Sequence, residues 1–125
     1  MADRFDYLVF TPSDFQKSLR FYRDILGWQL LDSLEGRSAA HYAILSGGGV
    51  RIMLRQAAGS NARAVPSSPS PTLHLDIHDV HKRFAHVPAG EHVVTPPSED
   101  EFGRLHFVLC DPDGNLFVFN ELRQR

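Results

Sequence analysis

Tyr42-Ala-Ile-Leu-Ser-Gly-Gly-Gly-Val-Arg-Ile-Met-Leu-Arg-Gln56 lies over Phe107-Val-Leu-Cys-Asp-Pro-Asp-Gly-Asn-Leu-Phe-Val-Phe-Asn-Glu121 when the chain is slid along itself by 65 residues. Gly49 then falls on Gly114, and apolar positions fall on apolar positions. Upstream, at the same offset, Asp14-Phe15-Gln16-Lys17 falls on Asp79-Val80-His81-Lys82; with the offset slipping to 63, Gly27-Trp28 falls near Gly90-Glu91. Matched order over most of the chain marks an internal duplication, one supersecondary unit written twice.

Each copy reads as a strand, a helix and three further strands. In the first, strands are expected over 7–11, 28–33, 39–45 and 50–56. Ser13-x-x-Gln16 makes a capping box that opens a helix. Phe15, Leu19, Tyr22 and Leu26 then recur at three- and four-residue spacing, an apolar stripe for a sheet to receive. Gly27 supplies a left-handed stop. In the second copy, strands are expected over 72–78, 92–95, 104–110 and 116–121, and Asp79 caps a shorter helix that turns Val80, Phe84 and Val87 inward. Between the copies, residues 57–71 (AAGSNARAVPSSPSP) form a small-residue, proline-rich connector. The expected organisation is one domain over 1–125, with a first module over about 4–56 and a second over about 72–122. The fold class is α+β: two tandem β-α-β-β-β modules forming a curved mixed sheet around a cavity.

Asp111-Pro112-Asp113-Gly114 suits a type I turn followed by a glycine of positive φ, which pairs Asp111 with Asn115. Period-two alternation sorts the side chains from there, and a one-residue slip would invert the sorting. Phe107, Leu109, Phe117 and Phe119 share an apolar face for the helices, while His106, Val108, Leu116, Val118 and Asn120 take the other. In the strand opening the second module, Leu73, Leu75 and Ile77 are inward and Thr72, His74 and Asp76 opposite. The same offset puts Tyr42, Ile44, Ile52 and Leu54 on the helix side of the first module, with His41, Ala43, Arg51, Met53 and Arg55 opposite. It also makes His41 the counterpart of His106. The second face is too rich in histidine and arginine for a dry core, so it reads as a ligand-facing surface; the alternative is a plain solvated sheet face.

Composition narrows the function classes. Hydrophobic residues at 42% and charged residues at 22% are those of a globular chain. A formal net charge of −2 supplies no global basic field for nucleic acid or an anionic membrane. No apolar run approaches the roughly 20 residues of a membrane-spanning helix, and the opening MADRFDYLVF has no charged-then-apolar leader. The single cysteine, Cys110, allows no internal disulfide, which fits a cytoplasmic location.

Three segments, in this order and spacing, resemble the vicinal oxygen chelate superfamily, which includes glyoxalase I, extradiol dioxygenases and bleomycin-resistance proteins. They are Ser18-Leu-Arg-Phe-Tyr-Arg-Asp-Ile-Leu-Gly27, Phe102-Gly103-Arg104 before the penultimate strand, and Asp111-Pro-Asp-Gly-Asn115 before the last. The resemblance covers nearly the whole chain and implies the paired-module fold. In metal-dependent members it implies ligands at positions that here carry Tyr7 and Met53 in the first module and Thr72 and Val118 in the second. A divalent ion wants imidazole or carboxylate donors there. Methionine is a poor ligand for such ions, valine offers none, and neutral hydroxyls are weak. The resemblance therefore implies no metal and no cofactor, and neither glyoxalase I nor dioxygenase activity, which depend on one.

What it implies instead is a metal-independent, homodimeric small-molecule-binding protein similar to the drug-sequestering members. Its pocket would be lined by Tyr7, His41, Arg51, Met53, Arg55, Thr72, His74, His106, Val118 and Asn120. The rival is a lyase, isomerase or dioxygenase with a metal relocated to His41, His74, His106 and Asp76, or with acid–base chemistry by His74 and Tyr7. Arg51 and Arg55 offer planar forks to a carboxylate or phosphate, or else pair with Asp76 or a rim acid. His78, His81, His86 and His92 read as solvated. Trp28, Tyr7 and Phe102 offer rings to a flat ligand, although Trp28 fits a core equally well. Cys110 reads as a small buried hydrophobe, and the acidic run over 98–101 as a solvated loop or a lid.

Overall fold

Asp14 and Asp79 occupy matching points of the duplication, and they do the same work in the computed structural model, which describes residues 3–35, 41–56 and 72–122. Each sits in extended backbone just before a helix, and its carboxylate accepts from the amide three residues on: Lys17 N at 3.1 Å and Lys82 N at 3.0 Å. A carboxylate there satisfies an orphan donor and complements the positive end of the helix. The first cap is thus Asp14 and not the expected Ser13, because Phe15 is the first residue with helical backbone.

The chain divides into two compact units, one for each copy of the repeat. In the first, β1 (Leu8–Phe10) leads to α1 (Phe15–Arg20), which widens into a π-helical turn over Phe21–Ile25 and is followed by Gly27 at φ 72°. The strands β2 (Gln29–Glu35), β3 (His41–Ser46) and β4 (Arg51–Gln56) complete a sheet of order β1-β4-β3-β2. In the second, β5 (Thr72–Ile77), α2 (Val80–Phe84), β6 (Val93–Glu99), β7 (Leu105–Cys110) and β8 (Leu116–Glu121) give the order β5-β8-β7-β6. Both sheets are mixed: β1 with β4 and β5 with β8 run parallel, and the other neighbours antiparallel. β6 extends past the expected 95 through Pro96 and Pro97. It is an edge strand with register shifts, where a missing N–H costs no ladder bond. The connector 57–71 and the start of the strand expected over 39–45 lie outside the described residues.

The helix stripe lands where its spacing predicts, with Phe15, Leu19, Tyr22 and Leu26 all buried. Tyr22 and Trp28 pack with ring centroids 5.6 Å apart, so Trp28 belongs to this core. In the second unit Phe107 stacks on Phe119 at 4.7 Å and meets Phe84 edge-on at 5.1 Å. Each such buried aromatic contributes about 2 kcal/mol of transfer free energy. No helix among the described residues is long and apolar enough to cross a membrane.

The second unit keeps the expected register. Asp111 N donates to Asn115 O at 3.0 Å, Gly114 takes φ 86°, and His106, Val108 and Cys110 pair with Asn120, Val118 and Leu116. The first unit does not. Ser46 pairs with Arg51, so its hairpin loop holds four residues, where Cys110 and Leu116 enclose five. That one-residue difference turns β3 over. Ala43 and Leu45 are fully buried on the helix side with Ile52 and Leu54, while Tyr42 and Ile44 share the opposite face with Arg55 and Met53. His41 therefore lies on the helix side, its ring 5.6 Å from that of Phe15. Tyr42, and not His41, is the counterpart of His106.

Candidate functional site

The sheet face turned away from the helices carries the candidate chemistry in each unit. In the first, Val9, Met53, Ile44 and Asp32 form one row across the sheet, and Arg55, Tyr42 and Leu34 the next. Alternation puts Tyr7 and Arg51 on the same face. Much of the row is apolar, and Val9 and Leu34 are about half exposed. Arg51 is already engaged: its Nη2 lies 2.7 Å from the Asp6 carboxylate and its Nε donates to Asp6 O at 3.1 Å. Asp6 is thus the rim acid, and the guanidinium fork expected for a ligand anion is occupied by the protein. Arg55 is exposed and has no ion pair among the described residues. The Tyr42 hydroxyl donates to Asp32 Oδ2 at 2.9 Å, and that bond holds the phenol above its ordinary pKa of 10.0.

In the second unit the rows are His74, Val118, Val108 and Thr95, then Asp76, Asn120, His106 and Ser98. Thr72 pairs with Leu116 at the opening of the sheet. Asn120 is buried, and its Nδ2 donates to His74 Nδ1 at 3.2 Å. His106 Nδ1 donates to the Ser98 carbonyl at 2.8 Å. Arg104 crosses the end of β8, with Nε on Glu121 O at 2.8 Å and Nη2 on Asp76 Oδ1 at 2.7 Å. Asp76 is therefore paired with Arg104, within its own unit. Beside it, the Asp100 carboxylate accepts from Phe102 N and Arg104 N, both at 2.9 Å, and the Arg104 amide chiefly holds its carboxyl below the ordinary value of 3.8. The acidic run is thus not a free loop: Ser98 and Glu99 end β6, and Asp100 organises the turn after it.

The structure brings together Tyr7, Arg51, Met53 and Arg55 on one face, and Thr72, His74, His106, Val118 and Asn120 on the other unit's equivalent. His41 lies on the helix side of its sheet, away from these faces. Its Nδ1 is buried and has no hydrogen-bond partner among the described residues. Sequence reasoning missed Tyr42, Asp32, Thr95 and Ser98, and gave Arg104 no role. A hairpin one residue shorter in the first copy was the signal for Tyr42; Arg104 has the strand parity of His106 and could have been placed from that.

The four positions that the resemblance singles out offer a metal little. Met53 sits between Val9 and Ile44, and Val118 between His74 and Val108, so each row centre offers a thioether or methyl groups. That donor set does not fit a divalent cation. Each member of the relocated set is engaged or turned aside within its own unit, His74 by Asn120 and His106 by Ser98 at one ring nitrogen each. His41 points to the helix side, Asp76 is held by Arg104, and no group of three His, Cys, Asp or Glu side chains suited to a metal forms among the described residues. His78, His81 and His86 are exposed, and His92 contacts the Pro88 carbonyl. Phe102 is exposed on a turn. Burial and the neighbouring Asp111 push the Cys110 thiol above its ordinary value.

The model of the Glyoxalase/Bleomycin resistance protein/Dioxygenase superfamily matches residues 4–119. A virulence protein of Salmonella typhimurium is 27% identical over 133 residues, covering 97% of this chain and 85% of that protein. Among solved structures, TnmS3, an antibiotic binding protein from Streptomyces sp. CB03234, superposes with TM-score 0.69 at 20% identity, covering 98% of this chain and 100% of that one. A glyoxalase I mutant from Zea mays superposes with TM-score 0.72 at 16% identity, covering 94% of this chain and 44% of that one. At such identities the structural likenesses establish the fold.

Proposed function

The chain belongs to the Glyoxalase/Bleomycin resistance protein/Dioxygenase superfamily, and from that premise we propose that it is a metal-independent small-molecule-binding protein that sequesters a drug or metabolite. One observation carries the reading: the strand positions at issue hold Tyr7, Met53, Thr72 and Val118, and the row centres Met53 and Val118 are flanked by Val9, Ile44, His74 and Val108, a single imidazole among apolar side chains. A side chain that cannot coordinate leaves the face for contacts with an organic ligand, which a few placed polar groups orient. Tyr7, Arg55, His74, His106 and Asn120 are those groups. The likeness to an antibiotic binding protein supports the same reading. The proposal includes a homodimer and a cytoplasmic setting.

Metal analysis of protein purified without chelator, paired with a thermal-shift screen, tests it. The expected result is metal far below one equivalent per chain, a melting temperature indifferent to chelator, and stabilisation by at least one small organic compound. One equivalent of zinc, nickel, iron or manganese, lost to chelator together with stability, would sink the proposal.

A further inference from the structure

The two histidines on the second unit's face are held in opposite tautomers. Asn120 Nδ2 can only donate, so His74 Nδ1 accepts, and the ring's single proton sits on Nε2. The Ser98 carbonyl can only accept, so His106 carries a proton on Nδ1, and in the neutral ring Nε2 is then the acceptor. Neither Nε2 has a partner among the described residues. His74 thus presents a donor and His106 an acceptor. They stand two strands and one two-residue step apart, about 12 Å between Cα atoms on ordinary sheet spacings.

The charges around them leave no place for an anion. Of the Lys and Arg side chains over 72–122, Lys82 and Arg83 lie on α2, with Arg83 over the Phe119 ring on the helix side. Arg104 is tied at both Nε and Nη2, the latter by Asp76. Asp100 adds a second carboxylate beside Arg104 and His106, so the one guanidinium here already faces two acids, Asp76 and Asp100.

Resting on the ligand-binding reading above, we infer that this face selects an uncharged ligand, one that offers an acceptor to His74 Nε2–H and a donor to His106 Nε2, and that it disfavours the ligand's anionic analogue. The ligand is then a neutral hydroxy-amide or hydroxy-carbonyl compound of at least one ring.

Histidine side-chain nitrogen NMR on the whole protein reads the tautomers directly. Titration with 4-hydroxybenzamide, 4-hydroxybenzoate and 4-hydroxybenzamidine, isosteres differing in charge, reads the selection. Expected are an Nε2–H signal for His74, an Nδ1–H signal for His106, and saturable shifts of both with the amide at about tenfold lower concentration than with the benzoate. Asn120→Asp replaces the donor by an acceptor, so it should move the His74 proton to Nδ1 and weaken the amide about tenfold. Like tautomers at both rings, or benzoate or benzamidine binding as tightly as the amide, would overturn the inference while leaving the ligand-binding reading in place. Opposite tautomers with no response to any of the three at millimolar concentrations would remove that reading, and the inference with it.

Discussion

Replacing Asp111 by alanine should unfold the second unit's register device. Asp111 Oδ1 accepts from Asp113 N at 3.0 Å and Asn115 N at 2.8 Å, and Oδ2 accepts from Asn115 Nδ2 at 2.7 Å. Asp111 and Asn115 are 4% and 8% exposed, so water cannot readily replace the lost acceptor at Asn115. A buried donor left unpaired costs about 1–3 kcal/mol, and two of the three donors belong to Asn115, so the loss should be about 3 kcal/mol. At roughly 3–4 °C per kcal/mol for a chain of this size, the melting temperature should fall by about 10 °C. Circular dichroism melts of the variant and parent measure it. Asp111→Asn keeps one acceptor for the backbone amides but sets its own NH2 against Asn115 Nδ2, and should lie between the two. A fall below about 3 °C for the alanine variant would show that the carboxylate does not hold the turn.

Gly47→Ala should destabilise the first unit by about 1–3 kcal/mol, because an added Cβ would collide with the Trp28 ring at Cε2; native tryptophan emission with an unchanged melt would contradict this. Tyr42 should ionise above 10.0 in an ultraviolet pH titration, and return towards that value in Asp32→Asn, since the hydrogen bond to Asp32 is the first cause of the shift. The folded pKa is raised, so the stabilising contribution is present below 10.0 and is lost as pH rises through the folded value; an ionisation unmoved by Asp32→Asn would refute the assignment.

The two halves were not equally legible, for a reason visible in their turns. Asp111-Pro112-Asp113-Gly114 names its own geometry: proline at the second position, a carboxylate that folds back on the amides, glycine where φ is 86°. With that closure set, alternation placed His74, His106, Val118 and Asn120 on one face, where the structure has them. Ser46-Gly47-Gly48-Gly49-Val50 has no side chain that counts loop residues, and the gapless offset imported a five-residue loop where four are present. Period two then converted one residue of error into an inverted strand. Ala43 and Tyr42 were informative in hindsight: a fully buried alanine fits beneath a helix better than a tyrosine that needs a partner for its hydroxyl. Arg51 failed differently, because its partner Asp6 lies 45 residues away in the chain and no spacing rule links them.

Matched slots show how the duplicated scaffold keeps its fold while changing its chemistry. Val9 and Met53 pair in the first unit where His74 and Val118 pair in the second, and Tyr42 and His106 each bond to the neighbouring edge strand. The helix-side slots do not vary in kind: Ala43, Leu45, Ile52 and Leu54 answer Phe107, Leu109, Phe117 and Phe119, all buried. Stability is carried by the second set, so the first is free to hold whatever a ligand requires. A pleated, half-exposed surface accepts valine or methionine at a row centre as readily as a polar side chain, because strand preference reflects packing against cross-strand neighbours. Tyr7, Met53, Thr72 and Val118 therefore stand at positions where apolar and polar side chains alike cost the sheets little.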